Sequence, residues 1–549
     1  MNRFLIKRFS ILLLLCIVFF FFGNNFVHLT DPDEVFYSLT AKEMAVHNTW
    51  FTPYIFNHPQ FEKPILTYWF IRVAFEVFGQ TPFASRFFPA VFASFGVFAV
   101  YALGLLGFAN ERRAFLAALV LCTSAFYLAM GKTVFTDMIF TVFILYSLLS
   151  FYLAFCYPTY KRQGILAFYF FIALAVLTKG PLGFLIPGLI VLFFLLYRRQ
   201  LSFLNTYWFM VGFFLCLLIA VPWYWYMVVK YGHAFIHEFF YNDHIRRLIE
   251  AEHKGNDHWF FYPLTMVGGV FPWSLFLIAA LVDLYKRLKF SIQPFEYFLL
   301  SWVLVVLVIF QFAHSKLCSY ILPMFPALAL LTANFIGEKL EKFDHGIIKR
   351  LSYGLIAFLT ALGIACVAAY KVYKPYVPSM MPAYFLSASL FSISGISLTL
   401  LFKDKVRQAI ILLGFSLAPV FLTAFIITSS LEPYISMYDA SCYVPSAKGR
   451  KTTLLVAKPY ARGIYYYTGL DVAVMDLGGQ NYFSPHPIPI LNTKDKLLAF
   501  LNSQPQTFAI LKKSGYEFLK KNYARRFHIN VLKMAGRNYV LKIEPIKPS

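Results

Sequence analysis

Five stretches of the chain carry side chains able to do chemistry. "DPDEVFYS" holds Asp31, Asp33 and Glu34 directly after an apolar run. Carboxylates there suit the first turn of an interfacial helix, and they equally suit a catalytic acid at a membrane surface. "FEKP" puts Glu62 and Lys63 before Pro64, either as solvated charges flanking a helix start or as a paired acid and cation at a site. "GKTVFTDMIF" places Asp137 at the mouth of a long apolar segment. An ionisable group at that depth is costly and reads as functional, unless a local base such as Lys132 neutralises it. "LTKGPLGFLIPG" sets Lys179 at a Gly-Pro helix break, where freed backbone N–H groups beside a cation suit a phosphate; snorkelling of Lys179 to the interface is the alternative. "HEFFYNDHIRRLIEAEHKGNDHWFFYP" carries His244, Arg246, Arg247, His253, Lys254 and His258. Arginine forks bind phosphate and neutral imidazoles bind metals or relay protons, but no spacing here is a strong metal signature.

The elements that hold these residues are membrane helices. Of 549 residues, 59% are apolar and 14% charged, against about 45–50% and about 25% in soluble domains. Thirteen apolar runs approach the ~20 residues that a crossing helix needs, starting near Phe9, Ala84, Ala114, Val134, Ile165, Pro181, Thr206, Trp259, Pro294, Leu317, Leu351, Pro382 and Ala409. The N-terminus is basic, and every second connection is basic again, from Arg112–Arg113 and Lys161–Arg162 through to Lys403, Lys405 and Arg407. That alternation is the positive-inside pattern; it places the N-terminus in the cytoplasm and, after thirteen crossings, the C-terminus outside. The formal net charge of +23 is thereby explained by loops rather than by nucleic acid. The seven cysteines form no CxxC pair and lie mostly inside apolar runs, which excludes a disulfide framework or a cysteine zinc site.

Two outside connections, about residues 28–83 and 231–258, contain the densest charge. The first includes the amphipathic pieces "EVFYSLTAKEMAVH" and "PILTYWFIRVAFEVFG", expected as helices lying in the interface. From about residue 431 the pattern changes to short strands ("TTLLVA", "TFAILKK"), helices ("TKDKLLAFLNS", "GYEFLKKNY") and a strand pair turning at Ala-Gly. The expected organisation is a transmembrane catalytic domain over 1–430 and an exported α/β domain over 431–549. All five charged groups fall on the outer side by this topology. Carboxylates, cations and imidazoles around a lipid-accessible space suit transfer of a group from a phosphate-linked lipid.

The ordered series "DPDEVFYSLTAKEM", "FEKPILTYW", "TDM", "LTKGPLG", "VPWYWYMVV", "DHIRR…EHK…HWFFYP…PWS" and "SKLCSYILPMFPALAL" resembles the bacterial aminoarabinose (4-amino-4-deoxy-L-arabinose) lipid A transferases. These are related to the protein O-mannosyltransferases in the GT-C class of glycosyltransferases. The resemblance covers nearly the whole chain. It implies a polytopic α-helical GT-C fold with about thirteen transmembrane helices plus the C-terminal α/β domain, in the bacterial inner membrane with a periplasmic site. It implies an inverting transfer from an undecaprenyl phosphate sugar, without a nucleotide cofactor, to lipid A or another envelope glycan. By the same resemblance Asp33, Asp137 and Glu62 are catalytic; Lys63 and Arg247, with Lys179 and Arg246, contact the donor phosphate. Glu62 with His253, or His258 in its place, would hold a divalent metal such as zinc. One departure stands out. The family's first motif reads "DEPRYAE", whereas Val35 and Phe36 follow Glu34 here, so its arginine contact is lost or replaced. The alternatives are protein O-mannosylation and, from another class, transport of a polyprenyl lipid, which fits many helices with intramembrane charges but not the absence of a visible repeat.

Overall fold

The computed structural model describes residues 3–250, 254–289, 292–444, 452–478 and 487–546. Among these, nine helices are long and apolar enough to cross a bilayer, the first Pro82–Phe108 and the last Val406–Ile435. A tenth span is a broken pair, Phe261–Gly269 and Ser274–Leu288, bent by 116°. The other three expected runs are shorter: Arg3–Cys16 continued through Ile17–Phe21, then Glu111–Cys122 and Leu182–Tyr197. Helix starts follow local chemistry. Thr81 accepts a hydrogen bond from the Ala84 N–H ahead of Pro82, and Asn110 accepts from the N–H groups of Arg112 and Arg113, satisfying donors that the first turn leaves unpaired.

Thr136–Cys156 forms the centre of the bundle, packed by Pro82–Phe108, Lys161–Lys179 and the 3-10 turn Cys318–Met324. By contrast Tyr207–Phe235 keeps Phe214, Leu218 and Trp225 exposed, as a lipid-facing helix does. The basic connections meet at one end of the bundle. Arg8 pairs with Glu111 at 2.8 Å, Arg113 with Glu341, Arg287 with Glu296 at 2.7 Å and Lys349 with Asp404 at 2.9 Å. Solvent screening keeps surface pairs of this kind weak, so they order this end more than they stabilise it.

At the opposite end lie the two long connections. The first folds as the helix Asp33–Val46, a minimal hairpin of β1 (Tyr54–Ile55) and β2 (His58–Pro59), and the helix Leu66–Phe78. Asp33–Val46 is more deeply set than an interfacial helix: its residues from Glu34 to Ala41 are all buried. The C-terminal segment covers it. That segment is a six-stranded sheet of β3 (Leu454–Ala457), β4 (Val472–Met475), β5 (Ile490–Leu491), β6 (Thr507–Lys512), β7 (Phe527–Ala535) and β8 (Asn538–Pro545), in the order β5-β4-β3-β6-β8-β7. β5, β4, β3 and β6 pair in parallel; β8 pairs antiparallel with β6 and β7, and the hairpin turns at Gly536 with φ of +59°. Between β3 and β4 runs the short helix Ala461–Thr468, "ARGIYYYT", which packs directly on Asp33–Val46.

Candidate active site

The second long connection is not an open loop. After a break at Gly232, with φ of +53°, Ile236–Arg246 winds as a π-helix and Arg247–Ile249 continues it. Phe235 and Phe239 are fully buried, stacked on each other at 5.4 Å and set against Trp223 and Tyr224. This apolar anchor fixes the winding that carries Asp243 and Arg247.

Asp243 is the hub. Its two oxygens accept from Lys63 Nζ at 2.8 and 2.6 Å, and Arg247 Nη1 lies 3.1 Å from Oδ1. The Lys63, Arg247 and Asp243 side chains are 13%, 17% and 7% exposed, so two cations share one carboxylate in a nearly dry setting. Arg247 Nη1 also reaches the Tyr320 hydroxyl at 3.4 Å. Lys179 pairs with Asp137 and sits 4.4 Å over the Tyr320 ring, so Tyr320 joins the two groups. Asp137 occupies the first turn of Thr136–Cys156, where the helix dipole favours a carboxylate. The local partner considered from sequence, Lys132, points elsewhere, to Asn24 Oδ1 and the Phe22 carbonyl, both at 2.7 Å.

Glu62 lies beside this hub, its side chain 15% exposed. Burial pushes its carboxyl above the ordinary value, while Arg462, Lys63 and Arg247 pull against that shift. Arg462 Nη2 is 3.9 Å from Glu62 Oε1. Asp33 is exposed in the first turn of its helix. One turn on, buried Tyr37 lies within electrostatic reach of Asp33, Asp137 and Asp243. Tyr37 and Tyr68 have ring centroids 6.1 Å apart, and Gln60 donates to the Tyr68 hydroxyl at 2.7 Å. The two tyrosines bridge the Asp137 and Glu62 sides of the site.

Neighbouring carboxylates have other duties. Glu34 is buried and receives Arg86 Nε at 2.9 Å and Nη2 at 2.6 Å, with Thr30 and the Val134 N–H completing its shell. Burial acts to raise Glu34, yet Arg86 and Thr30 hold it below its ordinary value. Asp31 accepts from the Met437 N–H at 2.9 Å, tying the first connection to the start of the C-terminal segment. Burial pushes Asp31 up to about 8, against the Met437 N–H and Arg462.

Of the residues expected at the site, Glu62, Lys63, Asp137, Lys179 and Arg247 converge, with Asp33 at the exposed edge. Arg246 pairs instead with Glu250 at 2.9 Å. His253 lies outside the described residues. His258 is exposed and its ring stacks on Phe260. Among the described residues no three His, Cys, Asp or Glu gather to hold a metal, and the groups around Glu62 are largely cations. The described donor set does not fit a divalent ion, so no step below runs through one. Asp243, Tyr320, Tyr37 and Arg462 were not singled out from sequence. Tyr37, Asp243 and Tyr320 stood inside quoted motifs; nothing local marks Arg462.

The chain is similar to known proteins over much of its length. A profile of the dolichyl-phosphate-mannose-protein mannosyltransferases matches residues 62–226. The undecaprenyl phosphate-alpha-4-amino-4-deoxy-L-arabinose arabinosyl transferase 2 of Proteus mirabilis is 29% identical over 67% of this chain and 67% of its own length. The corresponding transferase of Serratia proteamaculans is 31% identical over 63% of this chain, a stretch spanning 61% of that protein. The crystal structure of ArnT from Cupriavidus metallidurans bound to undecaprenyl phosphate matches at a TM-score of 0.76 and 19% identity, covering 98% of both chains. The archaeal oligosaccharyltransferase AglB from Archaeoglobus fulgidus matches at 0.52 and 14%.

Proposed function

We propose, for a chain that is a membrane glycosyltransferase related to the undecaprenyl phosphate-aminoarabinose arabinosyl transferases and sharing their GT-C fold, transfer of a sugar from undecaprenyl phosphate to lipid A or another envelope acceptor on the periplasmic face. The observation that carries this reading is the Lys63–Asp243–Arg247 group beside Lys179–Asp137: several largely buried cations gathered on carboxylates, at the end of the bundle opposite the basic connections.

In this reading the donor enters from the bilayer and its phosphate meets Lys63 and Arg247. Asp243 keeps the two cations close despite their mutual repulsion, so that one phosphate can meet both. The acceptor oxygen attacks the anomeric carbon from the face opposite the phosphate. The carbon–oxygen bond to phosphate breaks, and undecaprenyl phosphate leaves with the electron pair. Negative charge grows on that phosphate in the transition state, so cations preorganised around it lower the barrier. Asp33, exposed at the edge, takes the proton of a hydroxyl acceptor or positions an acceptor that is already anionic. Lys179 is neutralised by Asp137 and completes the wall through Tyr320. The N-terminus and the basic connections lie in the cytoplasm.

The test is transfer itself. Purified protein in liposomes is given undecaprenyl phosphate carrying a labelled sugar, with lipid A or unfolded exported protein as acceptor. Label on lipid A, or on another glycan of a whole envelope extract supplied in its place, supports the reading; label on protein replaces it with protein glycosylation, and no label on any of them refutes it.

A further inference from the structure

The helix Ala461–Thr468 is fastened to the membrane domain through several of its residues. Gly463 is pressed against Asp31 so closely that a Cβ there would lie 2.1 Å from Asp31 Oδ1. Tyr465 receives a hydrogen bond from Asn57 Nδ2 at 2.8 Å and packs on Phe56. The Tyr466 carbonyl accepts from Lys42 Nζ at 2.9 Å, and Tyr467 donates to the Leu29 carbonyl at 3.4 Å. Such docking leaves this helix little freedom and therefore fixes where Arg462 points. Its guanidinium stands 4.5 Å over the Phe36 ring and 3.9 Å from Glu62, with its side chain 18% exposed. Stacking on an aromatic face sets the plane of the guanidinium and limits the entropy lost when its fork engages an anion.

By the resemblance noted above, Phe36 stands where the "DEPRYAE" motif has arginine. We propose that Arg462 supplies that guanidinium from the C-terminal domain and binds the anionic group of the acceptor, so that the C-terminal domain is part of the active site. Two features assign it to the acceptor rather than the donor. The cations proposed for the donor phosphate, Lys63 and Arg247, are already gathered on Asp243 in the membrane domain. Arg462 instead comes from the segment that covers the site from outside the bundle, on the side of Asp31 and Glu62. A phosphate-bearing acceptor would meet the guanidinium while its nucleophilic oxygen reaches the sugar.

This inference rests on the transfer reading above, and the experiment separates the two. In full-length protein in liposomes, Arg462→Ala is expected to raise the KM for lipid A about 10- to 100-fold, the loss of one charge-assisted contact, with undecaprenyl phosphate binding unchanged. Adding Phe36→Arg to Arg462→Ala is expected to restore the KM to within about threefold of the parent. Undecaprenyl phosphate binding also reports folding; if the double variant fails it, Arg462→Lys replaces it and is expected to give an intermediate KM. Unchanged kinetics in Arg462→Ala, or weakened binding of undecaprenyl phosphate with the lipid A KM unaltered, would overturn the assignment. A parent protein that transfers nothing would refute the transfer reading instead.

Discussion

Replacing Lys63 by alanine tests how the site handles charge. Lys63 and Arg247 share Asp243, with Lys63 Nζ 2.6 Å and Arg247 Nη1 3.1 Å from its oxygens. The two cations offer an incoming phosphate diester two positive contacts held in place by one carboxylate. Without Lys63 the group carries one positive charge less, and the phosphate loses a direct contact. Removing one preorganised donor at a developing oxyanion costs about 2.7–4 kcal/mol, or about 10²–10³ in rate. Asp243→Asn acts in the opposite sense on charge, adding one positive unit, and is expected to bind undecaprenyl phosphate at least as tightly while turning over more slowly, because product release suffers. Single-turnover and multiple-turnover transfer in liposomes with saturating acceptor, alongside undecaprenyl phosphate binding, read both effects. Lys63→Ala transferring within threefold of the parent would show that this lysine only anchors Asp243 and that the charge argument fails.

Other consequences follow from neighbouring contacts. Asp137→Asn strands Lys179 in a buried site at a cost of about 3–5 kcal/mol, and the pair Asp137→Asn with Lys179→Met recovers much of that; thermal unfolding in detergent is expected to order the proteins parent, double, single. Asp31, ordinarily near 3.8 and here pushed to about 8, holds a proton in the folded chain that the unfolded chain releases across that window. Its contribution to stability is therefore full below the lower value and falls as pH rises to the upper one. Asp31→Asn is expected to flatten that slope in unfolding measured against pH, and an unchanged slope would assign it elsewhere. Since the described neighbours of Glu62 are mainly cations, transfer is expected to survive a strong chelator; loss of activity restored by zinc would instead join Glu62 to His253.

Much of the fold was legible because the bilayer imposes it. The apolar runs, their basic alternation and the strand patterns of "TTLLVA" and "TFAILKK" all found their elements, and Lys179 does sit at a helix end, where Gly180 adopts φ of +82°. The weaker signals were tertiary. The burial of Asp33–Val46 depends on a helix more than 400 residues later, and on Arg86 reaching Glu34 across 52 positions. "ARGIYYYT" has no charge pattern that announces a site; only its docking brings Arg462 to Glu62. Asp243 was overlooked because the reading of its loop rested on the arginines and histidines, whereas the π-winding of Ile236–Arg246 turns it inward toward Lys63. Arg246, its neighbour by three, falls on another face and meets Glu250.

The central claim is that this cluster breaks the bond between the sugar and the lipid phosphate rather than carrying the intact lipid. The direct measurement is the fate of undecaprenyl phosphate bearing separate labels on sugar and lipid, followed in sealed liposomes containing the protein and lipid A. Sugar label moving onto lipid A, with undecaprenyl phosphate released in equal amount and both lost in Lys63→Ala, is the predicted result. The two labels staying together while crossing the bilayer, whether or not lipid A is present, would contradict it.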